Sequence, residues 1–251
     1  MKKTALITGA TAGIGRATAL KLSGMGYDVI VTGRRAERLE ELTCEIEGKG
    51  GRCRSLCFDI QSKDEVDKAL DSLGELLDNI DILVNNAGLA STAEPVQSGS
   101  WEDWERMIDT NIKGLLAVSK RVIPGMIKRC SGHIVNLSSI AGKEAYANGN
   151  VYCATKHAVE ALTKSMRIDL LQYGIKVSSI SPGMVETEFS VVRYHGDKDK
   201  ADAVYRGLTP LTAEDIADAI EFIVSRPAHV NINDILIMPT AQASAVYNHR
   251  S

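Results

Sequence analysis

Short β-branched apolar runs alternate along the chain with longer stretches in which apolar residues recur every three or four positions. The runs at 5–8, 28–32, 53–58, 82–84, 133–137, 176–180 and 235–238 predict seven strands. The stretches at 14–25, 36–49, 63–77, 102–129, 151–173 and 213–224 carry the 3.6-residue period of helices that bury one face. Strand and helix in alternation predict right-handed βαβ units. The fold class is therefore α/β, a doubly wound and mostly parallel seven-stranded sheet with helices on both faces. The strand runs carry few charges, as two covered sheet faces require. Glycines at 24, 26, 48, 50 and 51 stop the first two helices, and no linker, repeat or low-complexity tract follows. Residues 1–251 read as a single domain. Within it, 183–208 lacks a strand and contains a polar run at 195–200, the composition of a lid or binding loop. The tail 241–251 is too polar for a core element, which leaves open a reach over a neighbouring subunit or disorder.

Composition narrows the function classes. At 251 residues, 44% apolar and 24% charged, the chain can bury a core without disulfides or a structural metal. A formal charge of −3 argues against a nucleic-acid partner, which would need a basic stripe. The first residues lack the long apolar run of a secretory signal, and no stretch is long enough for a membrane span. The five cysteines (Cys44, Cys53, Cys57, Cys130, Cys153) are scattered, and neither they nor the five histidines form a metal-ligand set. Cys53 and Cys57 lie four apart in a strand, so both point the same way. The expectation is a cytoplasmic enzyme or binding protein with a small-molecule partner and no metal.

Gly9-Ala10-Thr11-Ala12-Gly13-Ile14-Gly15 follows the first strand and opens the first helix. In that position a glycine turn lets backbone N–H groups approach a pyrophosphate at a helix N-terminus, although the spacing is not the usual G-x-G-x-x-G. The second strand ends Thr32-Gly33-Arg34-Arg35, where an acidic residue would accept from the 2′-hydroxyl of an adenosine ribose. A guanidinium instead pairs with a 2′-phosphate, so Arg34 and Arg35 point to NADP. Their alternative is to solvate the start of the next helix, a position where cations are unfavourable without a nearby anion.

Tyr152 and Lys156 stand at i and i+4 at the start of a helix, so they share a face. An ammonium beside a phenol draws its pKa toward the working range of a proton donor. Such a pair arises often by chance, and context gives it weight. Ser139 stands just past the fifth strand, thirteen residues upstream, and Asn85-Asn86-Ala87-Gly88 closes the fourth strand at the same sheet edge.

Thr8-Gly9-x-x-x-Gly13-Ile14-Gly15, Asn85-Asn86-Ala87-Gly88, Asn111, Ser139, Tyr152-x-x-x-Lys156 and Pro182-Gly183 together resemble the short-chain dehydrogenase/reductase family, in order and over the whole chain. The resemblance implies a Rossmann-like domain, hydride transfer with NAD(P), and a homotetramer. It implies Tyr152 as general acid/base, Lys156 as the cation that lowers its pKa and contacts the nicotinamide ribose, and Ser139 as the partner of the substrate oxygen. Asn111 would bend its helix and hold the water of a proton relay. The cofactor would be lined by Gly9, Thr11, Gly13, Ile14 and Gly15; by Asp59 and Ile60 beside the adenine; by Asn86 beside the adenosine ribose; and by Pro182, Gly183, Val185 and Thr187.

A narrower resemblance covers the second half. Glu188-Phe189-Ser190-x-Val192-Arg193, Gly196-Asp197, Leu211-Thr212-x-Glu214-Asp215-Ile216-Ala217, Pro227-Ala228-His229-Val230-Asn231-Ile232-Asn233 and Met238-Pro239 are similar to the NADP-dependent 3-hydroxy acid dehydrogenases. That group oxidises serine, allo-threonine and related acids and reduces malonic semialdehyde. Arg193 would clamp a substrate carboxylate; its alternative is to pair with Glu188 or Asp197 and shape the lid. Two other functions are weighed beside this one: an NADPH-dependent reductase of bulkier ketones or aldehydes, and a non-catalytic NADP-sensing protein.

Overall fold

The computed structural model describes residues 2–91 and 93–251. Its strands are β1 (Thr4–Ile7), β2 (Asp28–Gly33), β3 (Cys53–Cys57), β4 (Ile80–Asn85), β5 (His133–Leu137), β6 (Lys176–Pro182) and β7 (Asp234–Ile237). The helices are α1 (Gly13–Gly24), α2 (Ala36–Gly48), α3 (Lys63–Asp71), α4 (Trp101–Ile108), α5 (Leu115–Arg129), α6 (Asn150–Asp169), α7 (Glu188–Arg193), α8 (Lys198–Ala203) and α9 (Ala213–Val224). The strands form one sheet in the order β3-β2-β1-β4-β5-β6-β7, every neighbour parallel. The order reverses between β1 and β4. That is where an open α/β sheet leaves a crevice beyond its carboxyl ends.

Strand side chains alternate between two cores. Ala5, Ile7, Val29, Val31, Ile82 and Val84 pack with Leu22 of α1, Leu39 and Leu42 of α2 and Ile220 of α9. Leu6, Ile30, Leu83 and Ile134 pack on the other face with Val66 of α3, Val122 of α5 and Val159 of α6. The α9 entrance is fixed by a capping box in which Thr212 and Asp215 satisfy each other's backbone N–H groups.

Four segments depart from the periodic pattern. The helix expected at 102–129 is α4 and α5 joined by a wide π turn, Asp109–Gly114, which leaves the apolar period intact on either side. The one expected at 63–77 stops at Asp71 and resumes as a 3-10 turn, Gly74–Asn79. The one expected at 151–173 tightens after Asp169 into a 3-10 turn, Leu171–Tyr173, closed by Gly174 in the left-handed region (φ 65°). The strandless stretch 183–208 holds α7 and α8. The polar tail is ordered on its own chain: Arg250 donates to the carbonyls of Val204 and Arg206, and the Ser251 N–H donates to Gly207. Among the described residues no helix is long and apolar enough to cross a membrane.

Candidate active site

A cleft of about 490 Å³ lies at the switch point, between the carboxyl ends of the strands and the segment 183–208. Its floor is the glycine turn. Gly9 (φ 66°) and Gly13 (φ 51°) adopt left-handed backbone that disfavours a side chain. A Cβ on Gly9 would stand 2.8 Å from the Ala87 Cα, and one on Gly13 would stand 3.1 Å from the Thr187 methyl. Gly15 lies beneath the cleft surface, where a side chain would strike the Gly9 carbonyl and the Asn86 amide. Asn86 braces the turn by donating to the Thr8 and Gly9 carbonyls (2.8 and 3.1 Å). Asn85 faces the other way and donates to Ser119 and Asn136 inside the fold. The exposed turn above α1 fits a pyrophosphate.

At the β2–β3 end the cleft is lined by Arg34, Arg35, Asp59 and Ile60. The Arg34 guanidinium is 3.5 Å from the Asp59 carboxylate. Arg35 donates to the Thr11 hydroxyl through Nε and Nη2 (3.2 and 2.9 Å) and to Glu188 through Nη1 (2.8 Å). Both arginines are half-exposed and turned to the cleft rather than along α2. Two guanidinium groups in place of an acid fit a phosphate on the adenosine ribose.

At the other end α6 presents Tyr152 and Lys156, both buried, and the turn after β5 presents Ser139. Ser138 and Ser139 divide their work. Ser138 donates to the Lys156 carbonyl (3.4 Å), whereas Ser139 accepts from Ala141 N–H, donates to the Pro182 carbonyl (3.5 Å) and faces Tyr152. Asn111 lies outside the cleft lining, in the π turn. Its amide grips Leu89 N–H and C=O (both 2.9 Å) and donates to Thr155 Oγ1 (3.0 Å), tying the widened turn to α6. π turns of this kind occur often at functional sites.

The electrostatics differ from the expectation drawn from spacing. Lys156 Nζ donates to the Leu137 carbonyl (2.9 Å) and lies 5.9 Å from the Tyr152 ring centre. Burial brings its ammonium down to about 8, partly offset by the field of Glu160. Burial also pushes the Tyr152 hydroxyl well up, helped by Tyr146, while a hydrogen bond to Ser139 and the Arg193 guanidinium pull it down. Arg193, whose Cζ is 6.0 Å from the ring centre, is a second cation beside the phenol and pulls its hydroxyl down.

Pro182, Gly183, Val185, Thr187 and Arg193 close the cleft from the far side. Arg193 makes neither of the lid pairs considered from sequence. Glu188 pairs with Arg35 and Asp197 with Lys200, and the Arg193 Nε is buried with no hydrogen-bond partner among the described residues. Tyr146, Tyr205 and Gln242 also line the cleft and were not singled out by motif. The Tyr205 hydroxyl donates to the Val185 carbonyl (2.8 Å), and Gln242 accepts from Met184 N–H (2.8 Å). Their sequence signal is faint: an aromatic six residues before Tyr152, and single polar side chains in polar surroundings.

The chain is similar over nearly its whole length to known dehydrogenases. It is 46% identical over 245 residues to serine 3-dehydrogenase of Agrobacterium fabrum, covering 98% of this chain and 97% of that one. It is 46% identical over 247 residues to the NADP-dependent 3-hydroxy acid dehydrogenase YdfG of Shigella flexneri, covering 98% of each. The structure of the closed form of serine dehydrogenase complexed with NADP+ superposes with a TM-score of 0.93 at 45% identity, covering 99% of this chain and all of that one. The model of the short chain dehydrogenase family matches residues 3–197, from the first strand past α7, and the chain belongs to that family.

Proposed function

We propose that the protein is an NADP-dependent oxidoreductase of a small 3-hydroxy acid, serine-like or allo-threonine-like, and of the corresponding semialdehyde. The observation that carries the substrate class is Arg193, a guanidinium in the cleft beside Tyr152 whose buried Nε has no hydrogen-bond partner among the described residues. A bound monoanion would satisfy it, and a carboxylate two carbons from the reacting carbon is such an anion. Arg34 and Arg35, standing where an acid would select NAD, support NADP.

When bound, the dinucleotide supplies the hydride-transfer chemistry. The glycine turn, with Thr11, Ile14, Asn86, Asp59 and Ile60, would hold its adenosine side, and Pro182, Gly183, Val185 and Thr187 the nicotinamide side. In reduction Tyr152 donates a proton to the substrate oxygen, with Ser139 donating a hydrogen bond to the same atom. Burial keeps the phenol protonated at neutral pH, the state a general acid needs. In oxidation Tyr152 accepts that proton. Lys156 supplies positive charge near the developing phenolate and would hold the nicotinamide ribose, and Asn111 in its π turn would position a water linking Lys156 to solvent. The segment 183–208 acts as a lid over substrate.

The same reading makes the enzyme cytoplasmic and homotetrameric. All five cysteines are free, in keeping with a reducing compartment. Apolar side chains left exposed on α5 (Leu116), around the end of α6 (Ile168, Leu171), on α9 (Phe222), in β7 (Leu236) and in the tail (Val246, Tyr247) suit subunit contacts. The test is NADPH formation from NADP with serine, allo-threonine and 3-hydroxypropanoate beside neutral alcohols of the same size. Turnover is expected with the acids and NADP. Equal turnover of neutral substrates would favour the bulkier-ketone reductase, and tight NADPH binding without any turnover would favour the sensor.

A further inference from the structure

Behind Lys156, on the side away from the cleft, a buried carboxylate heads a chain of charges that runs out to the surface and that the proposed reaction does not use. Glu160 is one helical turn beyond Lys156 on α6 and is 5% exposed. Its carboxylate accepts from Lys143 Nζ (2.8 Å), Ser181 Oγ (2.8 Å) and Ser179 Oγ (3.4 Å). Lys143 also bonds Asp234 (2.9 Å), which accepts from Ser179 (2.7 Å). A buried carboxylate with this many donors is costly to desolvate and is a weak device for stability alone.

Its placement suggests what it does. Lys143 directly follows the 3-10 turn Ile140–Gly142, which Ser139 caps. That turn is pressed against α6: a Cβ on Gly142 would stand 2.8 Å from the Lys156 carbonyl oxygen. The Lys143–Glu160 ion pair therefore bolts the turn bearing Ser139 to the helix bearing Tyr152. The carboxylate also acts on Lys156. Around that ammonium stand Tyr152 and Glu160 from α6, the Leu137 carbonyl from the end of β5, and Gly88, which it shares with the Asn111 amide from the π turn. Glu160 is the charged group among the described residues whose field offsets the burial of Lys156. Around Glu160 itself stand Lys143 from the turn, Ser179 and Ser181 from β6, Asp234 from β7, and Arg167 further along α6.

We propose that Glu160 is a positioning residue for proton transfer: it keeps Lys156 cationic and, through Lys143, sets Ser139 against Tyr152. This rests on the reading of Tyr152, Lys156 and Ser139 given above. The test is kcat/KM for NADPH-dependent reduction of malonic semialdehyde between about pH 6 and pH 9, with circular dichroism and Tm recorded for each variant. In wild type the alkaline limb falls near the Lys156 ammonium, about 8. Glu160→Gln is expected to move that limb about one pH unit lower. The loss from charge is then about fivefold at pH 8 and slight at about pH 6. Glu160→Asp restores the limb. Lys143→Met lowers kcat at every pH, because the clamp is gone, and moves the limb to higher pH, because the carboxylate loses its cation.

A folded Glu160→Gln whose limb matches wild type overturns the proposal, as does a fall in Tm with no change of profile. Where Glu160→Gln does not fold, an unmoved limb in Lys143→Met overturns it instead. A wild type whose turnover does not depend on Tyr152 defeats the site reading and this inference together. A Tyr152-dependent enzyme with an unmoved limb defeats this inference alone.

Discussion

At the β2–β3 end of the cleft, Arg34 and Arg35 stand half-exposed and already paired with carboxylates; at the other end, Lys156 is buried against a backbone carbonyl and the Nε of Arg193 is buried with no hydrogen-bond partner among the described residues. Exposed ion pairs are worth about 0–1 kcal/mol and exchange partners easily. Buried cations carry a desolvation cost, so their charge is set by the few groups nearby. One end is built to be displaced by an incoming anion, and the other is tuned before anything binds. Each half of that contrast can be broken separately.

The largest effect is expected at Tyr152. Tyr152→Phe removes the transferable proton and keeps the ring against Phe189 (centres 6.0 Å apart). The expected loss in kcat is on the order of 10³-fold, with NADPH affinity within about threefold of wild type. Loss of cofactor binding in parallel would mean that the hydroxyl acts structurally.

Next is Arg193. Arg193→Ala should lower kcat/KM about 10²-fold for the 3-hydroxy acids, the size of one charge-assisted hydrogen bond lost to a partly buried anion. Neutral alcohols should change by less than about threefold. A uniform loss across both classes would return Arg193 to a lid-shaping role.

The buried end also fixes a pH dependence. Lys156 must be protonated, and burial has brought its ammonium down to about 8. Reduction should therefore hold steady below about pH 8 and fall roughly tenfold per unit well above it. The Tyr152 hydroxyl is shifted upward, so oxidation should gain with pH over the same range until Lys156 loses its proton. Initial rates in both directions across that range check the two signs at once.

Sequence reading reaches those features whose signal is local. The glycine turn, the seven strands and the i, i+4 placement of Tyr152 and Lys156 are set by short-range spacing, and the structure holds them where the spacing puts them. The family-derived lining from Gly9 to Arg193 converges on one cleft, with Gly15 beneath it and Asn111 behind it. What escapes is set by burial and by distant segments. The i, i+4 spacing says that Tyr152 and Lys156 share a face, but not that Lys156 Nζ is held by the Leu137 carbonyl. Helices α7 and α8 are six residues each, too short to show a period. The tail is ordered by Arg250 reaching backbone carbonyls of Val204 and Arg206, a contact no polarity pattern carries.

The smallest effects belong to the exposed end, and their signs matter more than their size. Arg35 is shared between Thr11 of the glycine turn and Glu188 at the start of α7. A 2′-phosphate arriving at Arg35 must compete with Glu188. Arg35→Ala should raise KM for NADPH about tenfold and leave KM for NADH near its wild-type value. Glu188→Gln should do the reverse and lower KM for NADPH about twofold to threefold, because an exposed carboxylate no longer holds the guanidinium. An ion pair that only staples the lid would weaken NADPH binding whichever partner is removed. Opposite signs from the two halves of one pair, measured as KM for NADPH against NADH, are what a displaceable contact requires.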